Sequence, residues 1–174
     1  MSGNVDRHPA AIEKLAASGP AAGLEEKLML YGRLVGSWDV VSRDLGGDGE
    51  WHERRGEWHF AWVLGGRGVQ DVLYAEGSTL DRFGTTLRCY DEEADVWHVA
   101  WMQPATGEFL ELVGRAEGDR IVQVGRGTRA GQVERWTFSE ISPESFLWQG
   151  EVSDDEGASW RLVQEMRATR RRSE

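Results

Sequence analysis

From Gly36 onward the chain is cut at near-regular intervals by clusters of glycine, proline and short polar residues. They fall at 46–49 (Gly-Gly-Asp-Gly), 65–68 (Gly-Gly-Arg-Gly), 77–84, 91–95, 103–107 (Gln-Pro-Ala-Thr-Gly), 117–119 (Glu-Gly-Asp), 127–131, 140–144 and 153–158. Most are about 11–14 residues apart, too close for a helix between successive strands, so sequence neighbours should pair as an antiparallel meander. Nine interruptions delimit ten strands. An open sheet of that size would leave two long edges and an uncovered apolar face, whereas closure removes the edges and turns one face inward. The expected fold is therefore all-β, a ten-stranded antiparallel meander barrel over residues 36–168.

Upstream of Gly36 the period changes. Ile12, Leu15 and Ala16 stand at helical spacing between Pro9 and Ser18. After the Gly19-Pro20 break, Leu24, Leu28, Tyr31 and Val35 share one face. This predicts two short helices forming a cap over residues 9–35, with a loose N-terminus at 1–8 and a basic tail at 169–174.

The chain's 174 residues bound it to one domain. Thirty acidic against twenty basic residues give a net charge of -10, the wrong sign for gripping phosphates, so nucleic acid is set aside as a partner. No apolar run approaches the roughly 20 residues that span a bilayer, which argues against membrane insertion. One cysteine, Cys89, and no basic-then-apolar leader pattern point to the cytoplasm. A homodimer is left open.

Period-2 alternation selects the inward side chains. Trp58, Phe60, Trp62 and Leu64 share a face, as do Trp136 with Phe138, Phe146 with Trp148, and Trp160 with Leu162, Gln164 and Met166. The tryptophan members, Trp160 among them, are expected inside. In 96–102 the Trp97/Val99/Trp101 and His98/Ala100/Met102 faces compete. Gly56 reads as a bulge that would invert residues 51–55.

Gly36-Ser37-Trp38, preceded by a short helix and opening the first strand, resembles the G-x-W signature of the calycin superfamily of lipocalins, fatty-acid-binding proteins and nitrobindin-type barrels. Leu34 to Trp38, the Gly65-Gly66-Arg67 turn, and Cys89-Tyr90-Asp91 followed by Val96-Trp97 are similar to an uncharacterised bacterial group of lipocalin-like barrel proteins. The resemblance covers roughly residues 28–168 and implies a barrel holding an apolar or amphipathic small molecule. It also implies a basic residue late in the barrel over the motif tryptophan, for which Arg167 is the candidate. Nitrobindin-type barrels hold haem through a histidine near the chain end. The last strand, Trp160 to Met166, has no histidine, so haem could be held only through His52 or His98.

Four histidines and one cysteine without a ligand spacing predict no metal site and no cofactor. No G-x-S-x-G elbow occurs, and the paired glycines at 46–47 and 65–66 lack the Lys-Ser/Thr and helix of a phosphate loop. What remains is an aromatic interior with a few polar residues. The expected ligand-binding set is Arg54, Trp58, Phe60, Trp62, Arg88, Tyr90, Trp101, Trp136, Trp148 and Gln164. An inward Arg88 would need an anion, either a ligand carboxylate or an internal one such as Glu134. The partner is expected to be a small apolar or aromatic molecule carrying at most one acidic group. The alternative is a cofactor-independent cyclase or isomerase in the same cavity, with His98, Tyr90 or Glu134 moving a proton. A titratable cavity residue with a perturbed pKa beside a second polar group would separate the two.

Overall fold

The computed structural model describes residues 9–75, 83–126 and 131–172; the expected loose segment 1–8 lies outside them. Two helices, α1 (Ala10–Leu15) and α2 (Glu25–Gly32), precede ten strands: β1 (Gly36–Leu45), β2 (Trp51–Val63), β3 (Gly68–Ala75), β4 (Phe83–Asp91), β5 (Val96–Gln103), β6 (Glu108–Glu117), β7 (Arg120–Arg126), β8 (Val133–Ser139), β9 (Ser145–Ser153) and β10 (Arg161–Arg170). Every strand pairs antiparallel with its sequence neighbour, and β1 closes the barrel on β10. Among the described residues no helix is long and apolar enough to cross a membrane.

The described strand connections fall at the breaker clusters, several of them at glycines with left-handed φ that other residues resist (Gly49, Gly66, Gly107, Gly118, Gly157); the clusters at 77–84 and 127–131 lie mostly outside the described residues. Gly66 (φ +81) shows a second constraint. The backbone of Gly19 to Ala21 crosses directly against it, where a Cβ would overlap, and Ala21 N donates to Gly66 O at 3.1 Å. This junction ties the N-terminal segment to the β2–β3 turn. α1 stops after one and a half turns because Ala16 turns extended, bridging to Val63, while Ala17 N donates to Trp62 O at 2.9 Å. Its expected apolar face stays outside, with Ile12 half exposed.

α2 plugs one end of the barrel. Leu28 and Tyr31, with Leu34 just beyond the helix, are fully buried. The Tyr31 ring meets Trp97 edge-on at 4.7 Å between centroids, and its hydroxyl donates to Gln123 Oε1 at 3.0 Å. Burial pushes the Tyr31 phenol far above its ordinary range. Trp38 is pinned beside the plug: its Nε1 donates to Leu34 O at 2.8 Å.

Three expectations about faces, and one about the arginine over Trp38, need correction. β1 and β2 pair without interruption through Val40 and Gly56, so Gly56 is not a bulge and residues 51–55 keep their phase. The irregularity lies in β10, between Leu162 and Gln164. One extra residue there inverts the alternation, so Trp160 sits on the outer wall with the Arg135 guanidinium 4.1 Å over its ring. Leu64 leaves the barrel at φ 54 and is exposed. Finally, Arg167 points outward, as strand alternation places it, and the cation that the resemblance implies over Trp38 is instead Arg170, 3.9 Å from the ring centroid, with Nη1 donating to Val35 O at 3.2 Å. β10 runs this far because Arg170 pairs with Trp38, placing 169–170 in strand rather than in the basic tail.

Candidate functional site

The end of the barrel opposite α2 opens into a cavity of about 600 Å³. Its wall is an arc of four indoles contributed by four strands. Trp101 (β5) meets Trp136 (β8) at 6.1 Å and 82°, Trp136 meets Trp148 (β9) at 5.6 Å, and Trp148 meets Trp58 (β2) at 6.2 Å and 80°. Such edge-to-face contacts fix ring orientation, so the wall is preorganised. Two glycines make the arc fit: a Cβ on Gly84 would overlap the Trp101 ring, and one on Gly150 would crowd Trp148. Val40, Leu73, Leu110, Val152, Val163 and Met166 add further apolar lining.

Beneath the cavity lies a polar layer. Arg88, 1 % exposed, contacts Asp71 Oδ2 at 2.5 Å, and its Nε donates to Gln123 Oε1 at 3.3 Å. Its guanidinium also lies 5.2 Å from the Tyr31 ring centroid and 5.7 Å from that of Phe138. Asp71 accepts further from Thr86 N at 3.3 Å. Arg88 is therefore inward, the arrangement for which an anion is required, and the carboxylate that meets it is Asp71. Glu134 stands elsewhere.

The mouth is polar and divided. On the β1, β2 and β10 side, Arg54 approaches Asp44 at 3.9 Å, Ser42 Oγ donates to Asp44, and Gln164 Nε2 donates to Ser42 Oγ at 3.4 Å. Across the barrel stand Glu108 (β6) and Glu134 (β8). Glu108 accepts from Trp101 Nε1 at 2.8 Å and Glu134 from Trp136 Nε1 at 3.1 Å. Among the described residues neither has a cationic partner. Burial, then the neighbouring Glu108 charge, raise the Glu134 pKa above the usual carboxylate range, opposed by the Trp136 hydrogen bond.

Of the expected site residues, Arg54, Trp58, Arg88, Trp101, Trp136, Trp148, Gln164 and Glu134 all line this cavity. Four others do not. Phe60 and Trp62 are inward but packed toward the plugged end, Trp62 against Gly32. Tyr90 lies at that same end, donating to Asp95 Oδ1 at 2.7 Å, a bond that raises its own pKa. His98 is on the outer wall, hydrogen-bonded to Asp91 at 3.1 Å, because Trp97, Val99 and Trp101 take the inner face. His52 is exposed and bonded to Asp48 in the β1–β2 turn. Neither histidine considered for haem faces the cavity.

The sequence reading missed Glu108 and Asp71. Both had a signal: Glu108 alternates with Leu110 and Leu112, and Asp71 with Val69 and Leu73, each an acid in phase with a buried apolar face. Among the described residues, no group of three or more histidine, cysteine or acidic side chains could hold a metal ion.

No protein-family model matches the chain, and no curated protein matches it in sequence. Among solved structures it is similar to the S-type phycobiliprotein lyase CPES from Guillardia theta, with a TM-score of 0.58 over 87 % of this chain and 94 % of that one, at 11 % identity. That likeness is one of fold alone.

Proposed function

We propose that this chain binds an apolar or aromatic small molecule in the tryptophan-walled cavity. The carrying observation is the arc of Trp101, Trp136, Trp148 and Trp58 around about 600 Å³ of open space. A filled barrel would need no such volume, and flat rigid rings offer contact area at little rotamer cost. An acidic group on the ligand is not required to compensate Arg88, whose charge is met by Asp71. The test is tryptophan fluorescence on titration with a neutral planar probe, 1-naphthalenemethanol. Saturable quenching at about tens of micromolar or below is expected. Leu73→Trp, which fills the cavity, should abolish it. Absence of saturable quenching by the native chain overturns the reading.

A second reading, a cofactor-independent isomerase or cyclase, is favoured by one observation. Glu134 is a cavity carboxyl whose pKa is raised, by burial first and then by a second carboxyl, the kind of pairing from which a proton-transferring group is built. The fold itself does not decide between the readings, since its structural neighbour is a lyase. Native mass spectrometry of protein from its own host would reveal a retained ligand. Deuterium uptake into that ligand in heavy water, lost in Glu134→Gln, is expected for the enzyme and not for the binder.

A further inference from the structure

The fixed charges of the cavity name the polarity of its occupant. Its lining carries the arginines Arg54, Arg55 and Arg88 and the acids Asp44, Glu108, Glu134 and Glu151. Most of these are matched. Arg88 is paired with Asp71, Arg54 with Asp44, and Glu151 with Arg135, whose Nε donates to it at 2.8 Å. Arg55 belongs to the outward set of β2, in register with Val41 and two residues from Glu57, and is exposed. Glu108 and Glu134 remain. Among the described residues each has one neutral donor, an indole N–H from the aromatic wall, and no cation.

Burial, then the Glu108 charge, disfavours the ionised form of Glu134, so a cation brought to this side of the mouth relieves an unfavourable arrangement. Their indole bonds also dictate where a ligand charge would sit. Trp101 and Trp136, which hold the two carboxylates, meet edge to face and expose ring surface to the same cavity. A positive group entering there meets two carboxylates and the negative faces of the indoles together. A negative group meets only repulsion.

Resting on the binding reading above, we propose that the preferred ligand is an organic cation: a protonated amine or comparable nitrogen on a flat apolar body, its charge held by Glu108 and Glu134 and its body on the tryptophan arc. The acidic group expected from the sequence is replaced by a basic one. The overall charge of -10 acts in the same direction, concentrating cations near the mouth at low salt.

The test compares three probes of one skeleton: 1-naphthalenemethylamine, 1-naphthalenemethanol and 1-naphthoate. At pH 7 and low salt the amine is expected to bind at least about tenfold tighter than the alcohol, and the naphthoate at least about tenfold weaker. In Glu108→Gln/Glu134→Gln the amine should lose its preference, the ratio of amine to alcohol affinity falling to about one while the alcohol still binds saturably. If alcohol and amine bind alike, or if the double variant keeps the amine preference, the cation site is wrong while the binding reading stands. If the double variant also loses the alcohol, Glu134→Gln alone is read in the same way. If none of the three probes binds to the native chain, both readings fall.

Discussion

At the scale of single residues, the molecule's most consequential pair is Arg88 and Asp71, neither of which reaches solvent. Burying two charges costs several kcal/mol per ion, repaid only while both partners are present and hydrogen-bonded. Arg88 has Asp71, Gln123 and the faces of Tyr31 and Phe138; Asp71 has Arg88 and Thr86 N. Arg88→Met or Asp71→Leu alone is therefore expected to cost about 3–5 kcal/mol in urea unfolding, because each strands a buried charge. The double variant should recover most of that loss, and a loss equal to the sum of the two would show the residues uncoupled. Strand alternation grouped Arg88 with Thr86 on one face, and burial in the barrel shows that this face turns inward. The partner of Arg88 was not legible, because Asp71 lies 17 residues away and meets it only through the β3–β4 register, where Asp71 faces Thr86.

At the scale of elements, the β9–β10 hairpin is held by a local carboxylate. Asp155 accepts from Ser159 Oγ at 2.6 Å, Ser153 Oγ at 2.7 Å and Ser159 N at 2.8 Å. The Ser159 hydroxyl bond, ahead of the other donors, lowers its pKa to about 2. A depressed carboxylate pKa stabilises the fold fully above the ordinary aspartate value and loses that contribution as pH falls through the folded one. Slowed exchange of the Ser159 amide should therefore persist at neutral pH and fade as the pH approaches 2. Asp155→Asn should exchange faster at neutral pH and converge with the native chain in acid. This turn was foreseen as a breaker cluster, but the bulge just after it was not. The bulge's sequence, Arg161-Leu162-Val163-Gln164, has neither glycine nor proline to announce an extra residue. Trp160 was misplaced for that reason.

At the scale of the whole molecule, the barrel is asymmetric: α2 fills one end with apolar side chains, while the other end keeps an open aromatic pocket with a polar rim. The Arg88–Asp71 layer separates the two halves. Every strand pairs with its neighbour in sequence except at the single seam between β1 and β10. That seam is reinforced by Arg170 over Trp38, a cation–π contact worth about 0.5–2 kcal/mol. The superfamily resemblance led to a cation at this place but put it at Arg167. The contact falls at Arg170 because register, set by Trp38 facing residue 170 across the seam, decides which arginine overlies the ring.

The sequence alone determined the number of strands, their order, the closure and most of the inward face, because breakers and period-2 alternation are local properties of the backbone. It also picked out eight residues that line the cavity, since bulky aromatics in phase with an apolar face have only one place to go. Tertiary structure decided what those residues meet. Whether a buried charge is met by a ligand or by a neighbour depends on which strands face across the barrel, and that placed Asp71 against Arg88. Whether two glutamates form a site depends on β6 and β8 being separated by one strand, which brings residues 26 apart in sequence to one side of the mouth. No local pattern encodes such distances; they come from closing the sheet.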